Sequence, residues 1–202
     1  IIETFIIIAV LFAAFLHATW NFILRGSDDK LLSMTSVILG HIPFAVIGIF
    51  LFGLPDYAGK EFIFTSIILH FLYPIFLLNA YKFGELSEIY PIARGLSPLI
   101  IIIVSFMFFR EEITIYETIG ILIISFSLMI YGLKSFFEHK SNFKGFGLAV
   151  ITGFLIASYS IVDGFGARVT QNPIGFYSFV TTISGILFYF YASVKDKNII
   201  KR

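Results

Sequence analysis

Residues 87–109 read Ser-Glu-Ile-Tyr-Pro-Ile-Ala-Arg-Gly-Leu-Ser-Pro-Leu-Ile-Ile-Ile-Ile-Val-Ser-Phe-Met-Phe-Phe. At about 1.5 Å of helical rise per residue, such a stretch covers the roughly 30 Å hydrocarbon core of a bilayer. A helix on the surface of a soluble protein needs a full polar face, and this one carries only Glu88 and Arg94 as charges. Working outward, residues 1–24, 31–54, 61–81, 114–133, 143–163 and 174–194 have the same character. Barrel strands alternate in polarity over about 10 residues, whereas these runs are longer and apolar on every side. The reading is an all-α polytopic membrane helical bundle with about seven transmembrane helices.

Composition supports that class. The 202 residues are 58% hydrophobic and 13% charged, with a mean hydropathy of +0.93. A soluble domain carries about 25% charged residues, so this chain lacks the charges to cover a water-facing surface. That excludes a soluble enzyme, and a net charge of +1 leaves no footprint for nucleic acid. Cys is absent, which removes disulfides, thiolate metal sites and cysteine nucleophiles. The first segment reads as a membrane helix, since it lacks a basic leader and exceeds the roughly 7–15 apolar residues of a signal peptide.

An internal repeat organises the helices. Ala14-Phe-Leu-His-Ala-Thr-Trp-Asn21 aligns with Gly153-Phe-Leu-Ile-Ala-Ser-Tyr-Ser160 at an offset of 139 residues, which also lays helix 2 over helix 7. Five helices per copy is an odd number, so the second copy enters the membrane in the opposite sense. Inverted repeats of this kind build secondary transporters with the substrate site near the midplane. Residues 1–133 are expected to form a first five-helix repeat, 134–144 a linker, and 145–202 an incomplete second repeat of two helices. Three more helices are expected beyond Arg202, giving a ten-helix transporter.

Three stretches carry a family resemblance. Tyr90-Pro-Ile-Ala-Arg-Gly-Leu-Ser-Pro98, Arg110-Glu-Glu-Ile-Thr114 and Ile119-Gly-Ile-Leu-Ile-Ile124 are similar to the EamA domain of the drug/metabolite transporter superfamily. There a small-residue-Pro turn opens helix 4, a Gly-Glu-x-hydrophobic-Thr turn joins helices 4 and 5, and a Gly lies early in helix 5. This sequence departs by placing Arg110 where Gly is common and by doubling the Glu. The resemblance implies a carrier of two EamA halves in a bacterial plasma (inner) membrane, its cavity lined mainly by helices 1, 3, 4 and 6. No cofactor or nucleic acid is implied. The partners are a small-molecule substrate and the lipid bilayer, with a homodimer left open.

Helical periodicity groups the polar residues onto faces. Helix 1 presents His17, Trp20 and Asn21; helix 3 presents His70, Tyr73 and Tyr81, beside Pro74. Helix 4 aligns Tyr90, Arg94 and Ser97, and helix 6 aligns Thr152, Tyr159 and Asp163. An Arg costs roughly 2.5–3.5 kcal/mol near the bilayer centre on insertion scales, so Arg94 reads as an anchor for an anionic substrate group. Its plainer reading is snorkelling, or pairing with Glu85 or Glu88. His17 and His70 suit a proton relay, because an ordinary imidazole titrates near pH 6.5, or about that; more simply, each hydrogen-bonds a neighbour. Trp20 and Tyr159 could wall a substrate or merely pack. Asp163 could clamp Arg168, the Glu111–Glu112 pair could cap helix 5, and Gly120, Ser125 and Ser127 suit close helix packing. No metal-ligand spacing occurs.

Counting basic residues leaves orientation open. Arg25, Lys30, Lys82, Lys134, Lys140, Lys144, Lys195, Lys197, Lys201 and Arg202 share one side, against Lys60, Arg110 and Arg168 on the other. The positive-inside rule then favours an external amino terminus, whereas ten-helix relatives place both termini inside. Two other functions compete with a carrier. The Glu-Glu pair suggests an intramembrane hydrolase of the Abi/CAAX kind, but Tyr116 stands where that motif needs Arg. A non-transporting scaffold would have no need of Arg94 at depth.

Overall fold

A computed structural model describes residues 2–25, 27, 29–109, 113–139 and 142–199; the side chains of residues 2, 3, 17 and 20–25 lie outside that description. The described chain is built of helices with no strand among the described residues: α1 (Ile2–Arg25), α2 (Lys30–Phe52), a short 3-10 turn (Tyr57–Gly59), α3 (Lys60–Ala80), α4 (Leu86–Val104) continued by a π segment (Ser105–Phe109), α5 (Ile115–Glu138), α6 (Phe143–Val169) and α7 (Pro173–Lys195). Among the described residues, α2 to α7 are each long and apolar enough to cross a membrane, and α1 holds a shorter apolar stretch over Thr4–Leu16. The protein is an integral, multi-pass membrane protein.

Capping chemistry sets the boundaries. The Asp29 carboxylate accepts the Leu32 N–H at 2.9 Å to start α2, and Gly53, at a φ of 80°, ends it. At α5 the cap is the reciprocal pair of Thr114 and Glu117, where the Thr114 N–H donates to Glu117 at 2.8 Å. The expected capping pair Glu111–Glu112 lies outside the described residues. Asn172 starts α7 by accepting the Gly175 N–H at 2.9 Å, and its amide donates to the Phe52 carbonyl at 2.9 Å, tying the start of α7 to the end of α2.

Two helices are longer than their hydropathy suggests. α5 continues through Glu138, so the expected linker at 134–144 shrinks to a few residues between α5 and α6. Lys134 and Glu138 pair at 3.7 Å, and the buried Phe136 ring packs on Phe143 and Phe146; polar residues on the outer face hid this buried side. Likewise α6 runs past Asp163 to Val169, because Gly166 seats the Phe176 ring of α7.

The helices stand in a row, α5–α4–α6–α3–α7–α2, each packed on the next. Lipid is as apolar as leucine, so close backbone approach rather than water exclusion holds such a row together. Gly95 of α4 makes that approach on one side, where an added Cβ would lie 2.8 Å from the Ser125 carbonyl of α5. On the other side, a Cβ at Gly153 of α6 would lie 3.0 Å from the Ala93 carbonyl. Arg94 is thus held between two such contacts. Of the residues expected to serve packing, Ser125 is buried, a Cβ at Gly120 would meet nothing within 4 Å, and Ser127 is exposed. Helix α1 stands apart, with every described side chain exposed. Its Ala18 is exposed whereas the repeat-related Ala157 is buried.

Candidate functional site

Five consecutive helices of the row contribute to one cavity of about 240 Å³. Helix α4 supplies Arg94; α3 supplies His70 and Tyr73; α6 supplies Tyr159. Helix α7 adds Tyr177, Thr181, Ser184 and Phe188, and α2 adds Met34, Val37, Ile38 and His41. His70, His41 and Ser184 lie close to the middle of their helices, so the cavity sits near mid-membrane.

Proline places the key groups. Pro98 and Pro74 have no N–H, so neither can return a helical hydrogen bond to the carbonyl four residues earlier. Those carbonyls belong to Arg94 and His70. Ser97 compensates on α4 by donating its hydroxyl to the Arg94 carbonyl at 3.3 Å. The guanidinium lies over the Tyr90 ring, 5.5 Å from its centroid. Among the described residues no carboxylate forms an ion pair with Arg94. The two carboxylates nearest in sequence are used elsewhere. Glu88 is fully buried, with Oε1 3.2 Å from His139 Nδ1, and Glu85 caps α4.

His70 occupies a cage. Its Nε2 lies 2.8 Å from Asp163 Oδ2 across the α3–α6 interface, and Ser66 donates its hydroxyl to Asp163 Oδ1. The Tyr159 ring lies 4.4 Å from the imidazole at an angle of 34°, while Tyr73 and Tyr177 stand edge-on at 6.2 Å each. Asp163 therefore serves the cavity wall through His70 and Ser66. The carboxylate sits one helical turn from Tyr159, on the same face, and the α3–α6 interface brings it to His70.

Of the residues singled out in the sequence, Arg94, His70, Tyr73 and Tyr159 meet at the cavity, and Tyr90 supports Arg94 from beneath. Ser97 is buried and bonded to its own helix. The side chains of His17, Trp20 and Asn21 lie outside the described residues, and no described residue of α1 lines the cavity. Among the described residues the lining comes from α3, α4 and α6, as expected, and also from α2 and α7; the α1 face expected there lies outside the described side chains. The contribution of α7 has a sequence signal: Tyr177, Thr181, Ser184 and Phe188 follow i, i+4, i+7 and i+11. His41 follows Met34 and Ile38 in the same way. Among the described residues, no three His, Asp or Glu side chains gather as metal ligands.

No family model matches the chain, no characterised protein is measurably similar to it, and no solved structure matches it.

Proposed function

We propose that this protein is a secondary carrier that moves a small organic anion across a bacterial plasma membrane by alternating access. The observation that carries this reading is Arg94, a mid-membrane guanidinium lining a cavity with no carboxylate paired to it among the described residues. Ionisable groups at such depth are costly and mark substrate or ion pathways. A planar guanidinium binds carboxylate, sulfonate or phosphate oxygens in pairs, which supplies geometry as well as charge. The surrounding tyrosines offer hydroxyl groups for the same oxygens and rings for an apolar substituent. Resemblance to the EamA domain supports the same class. The hydrolase alternative rests on Glu111 and Glu112, outside the described residues.

Equilibrium binding to the purified protein tests the reading. Acetate, lactate, isethionate and sulfate, titrated by calorimetry, should include at least one ligand whose binding falls by tenfold or more in Arg94→Ala. Arg94→Lys keeps charge but loses the fork, and should fall in between. Equal affinity in wild type and Arg94→Ala for every anion would overturn it.

A further inference from the structure

We infer that the cavity binds a monoanion together with one proton, taken up by His70; this rests on the carrier reading above. Two full charges face the cavity or its wall in the described structure, Arg94 and, behind His70, Asp163. They cancel. With His70 neutral, an incoming monoanion leaves the low-dielectric pocket with an uncompensated negative charge. With His70 protonated, the pocket carries one positive charge and the monoanion neutralises it.

Geometry prepares His70 for that proton. Asp163 accepts from Ser66 through Oδ1, so its Oδ2 takes the Nε2–H of His70 at 2.8 Å. That fixes the neutral tautomer and leaves the lone pair on Nδ1. Among the described residues nothing hydrogen-bonds Nδ1, and the side chain is 13% exposed at the cavity wall. The proton comes from solution and adds to Nδ1, while Nε2–H stays on Asp163. When the anion leaves, the same proton returns to water. The imidazolium is held by the carboxylate and by the Tyr159 face 4.4 Å away, with Tyr73 and Tyr177 at the rim. The lining's other titratable groups are Arg94, the three tyrosines Tyr73, Tyr159 and Tyr177, and His41 of α2, which is exposed and touches no ring of this cage among the described contacts.

Proton uptake decides the matter. Acetate, lactate, isethionate and sulfate are fully ionised at neutral pH, so protons consumed on their binding to weakly buffered protein come from solution. One proton per monoanion bound is expected in wild type, with affinity rising by up to about tenfold for each unit the pH falls. Asp163→Asn leaves Arg94 uncompensated and should bind the monoanion with no proton uptake and no pH dependence. His70→Gln keeps a donor to Asp163 but takes no proton, and should lose tenfold or more in affinity near neutral pH. Arg94-dependent binding without proton uptake in wild type, or with unchanged uptake in His70→Gln, overturns this inference alone. Absence of Arg94-dependent binding of any of the four anions overturns the carrier reading with it.

Discussion

The hydroxyl of Ser97 donates to the carbonyl of Arg94 at 3.3 Å, one residue before Pro98 removes the backbone donor that carbonyl would otherwise receive. A buried carbonyl left without a partner costs about 1–3 kcal/mol. Ser97→Ala should therefore lower stability by roughly 1 kcal/mol while leaving anion affinity within about twofold. In the background of Pro98→Ala the N–H returns, and the same Ser97→Ala change should cost little. Thermal unfolding of the two single variants and the double variant checks this, and additive losses would refute it.

Close packing around Arg94 makes a second prediction. Gly95→Leu must push α5 away from α4, because the new side chain meets the Ser125 carbonyl and the Met129 side chain at 2.8 Å. Overpacking of this sort costs about 1–3 kcal/mol, and here it also shifts the helix bearing Arg94. Gly120→Leu, where a Cβ meets nothing within 4 Å, serves as the matched control. Thermal midpoints should fall for the first and hold for the second; equal behaviour would contradict the packing described.

Asn172 joins two helix ends with one side chain. Asn172→Ala loses the cap of α7 and the bond to Phe52, a loss of about 1–2 kcal/mol. Asn172→Asp keeps the capping oxygen and loses only the donor, so it should fall between wild type and Ala. Chemical denaturation monitored by helicity gives the order, and an Asp variant as weak as Ala would assign the whole effect to Phe52.

Which helix ends meet sorts the basic residues onto two sides of the bundle. α2 and α7 run antiparallel, with Gly48 opposite Ser178 and Ile42 opposite Gly185. α3 and α6 are likewise opposed, through Phe62 with Gly166 and Tyr73 with Tyr159. One end of the bundle therefore gathers Lys30, Lys82, Lys144 and Lys195, and the other holds Lys60 and Arg168. On the positive-inside rule the lysine-rich end is expected in the cytoplasm. Because the chain has no Cys, single cysteines report directly. A membrane-impermeant maleimide should label Asp56→Cys in intact cells and Lys82→Cys only after permeabilisation. The reverse pattern would invert the assignment.

Hydropathy alone located the seven α-helices, and among the described residues α2 to α7 are each apolar over a length that can span a bilayer. It placed helix ends less well where the last turns are amphipathic: Phe136 and Gly166 are buried by neighbours that the local pattern does not name. A third of the cavity lining was legible for a similar reason. Arg94, His70, Tyr73 and Tyr159 stand out as polar groups at helical spacing in apolar runs. The stripe on α7 joins Tyr177 and Phe188 with Thr181 and Ser184, and Ser184 spends its hydroxyl on its own helix, at the Val180 carbonyl 2.7 Å away. Their helical spacing is the only signal of a cavity, and it is shared by residues that merely pack. Nor could spacing connect Asp163 to His70 on another helix. That contact belongs to the α3–α6 interface. Ser97 misled because its hydroxyl answers Pro98, a covalent fact visible in the sequence but silent until the helix is built.

Flux tests the central assignment most directly. Proteoliposomes containing the purified protein, preloaded with unlabelled lactate, acetate, isethionate or sulfate, should accumulate the labelled form of at least one of these anions by exchange. Arg94→Ala should lower that initial rate by tenfold or more with protein content and helicity unchanged. Exchange at the wild-type rate in Arg94→Ala, or no protein-dependent exchange of any of the four, would contradict an anion carrier built around this guanidinium.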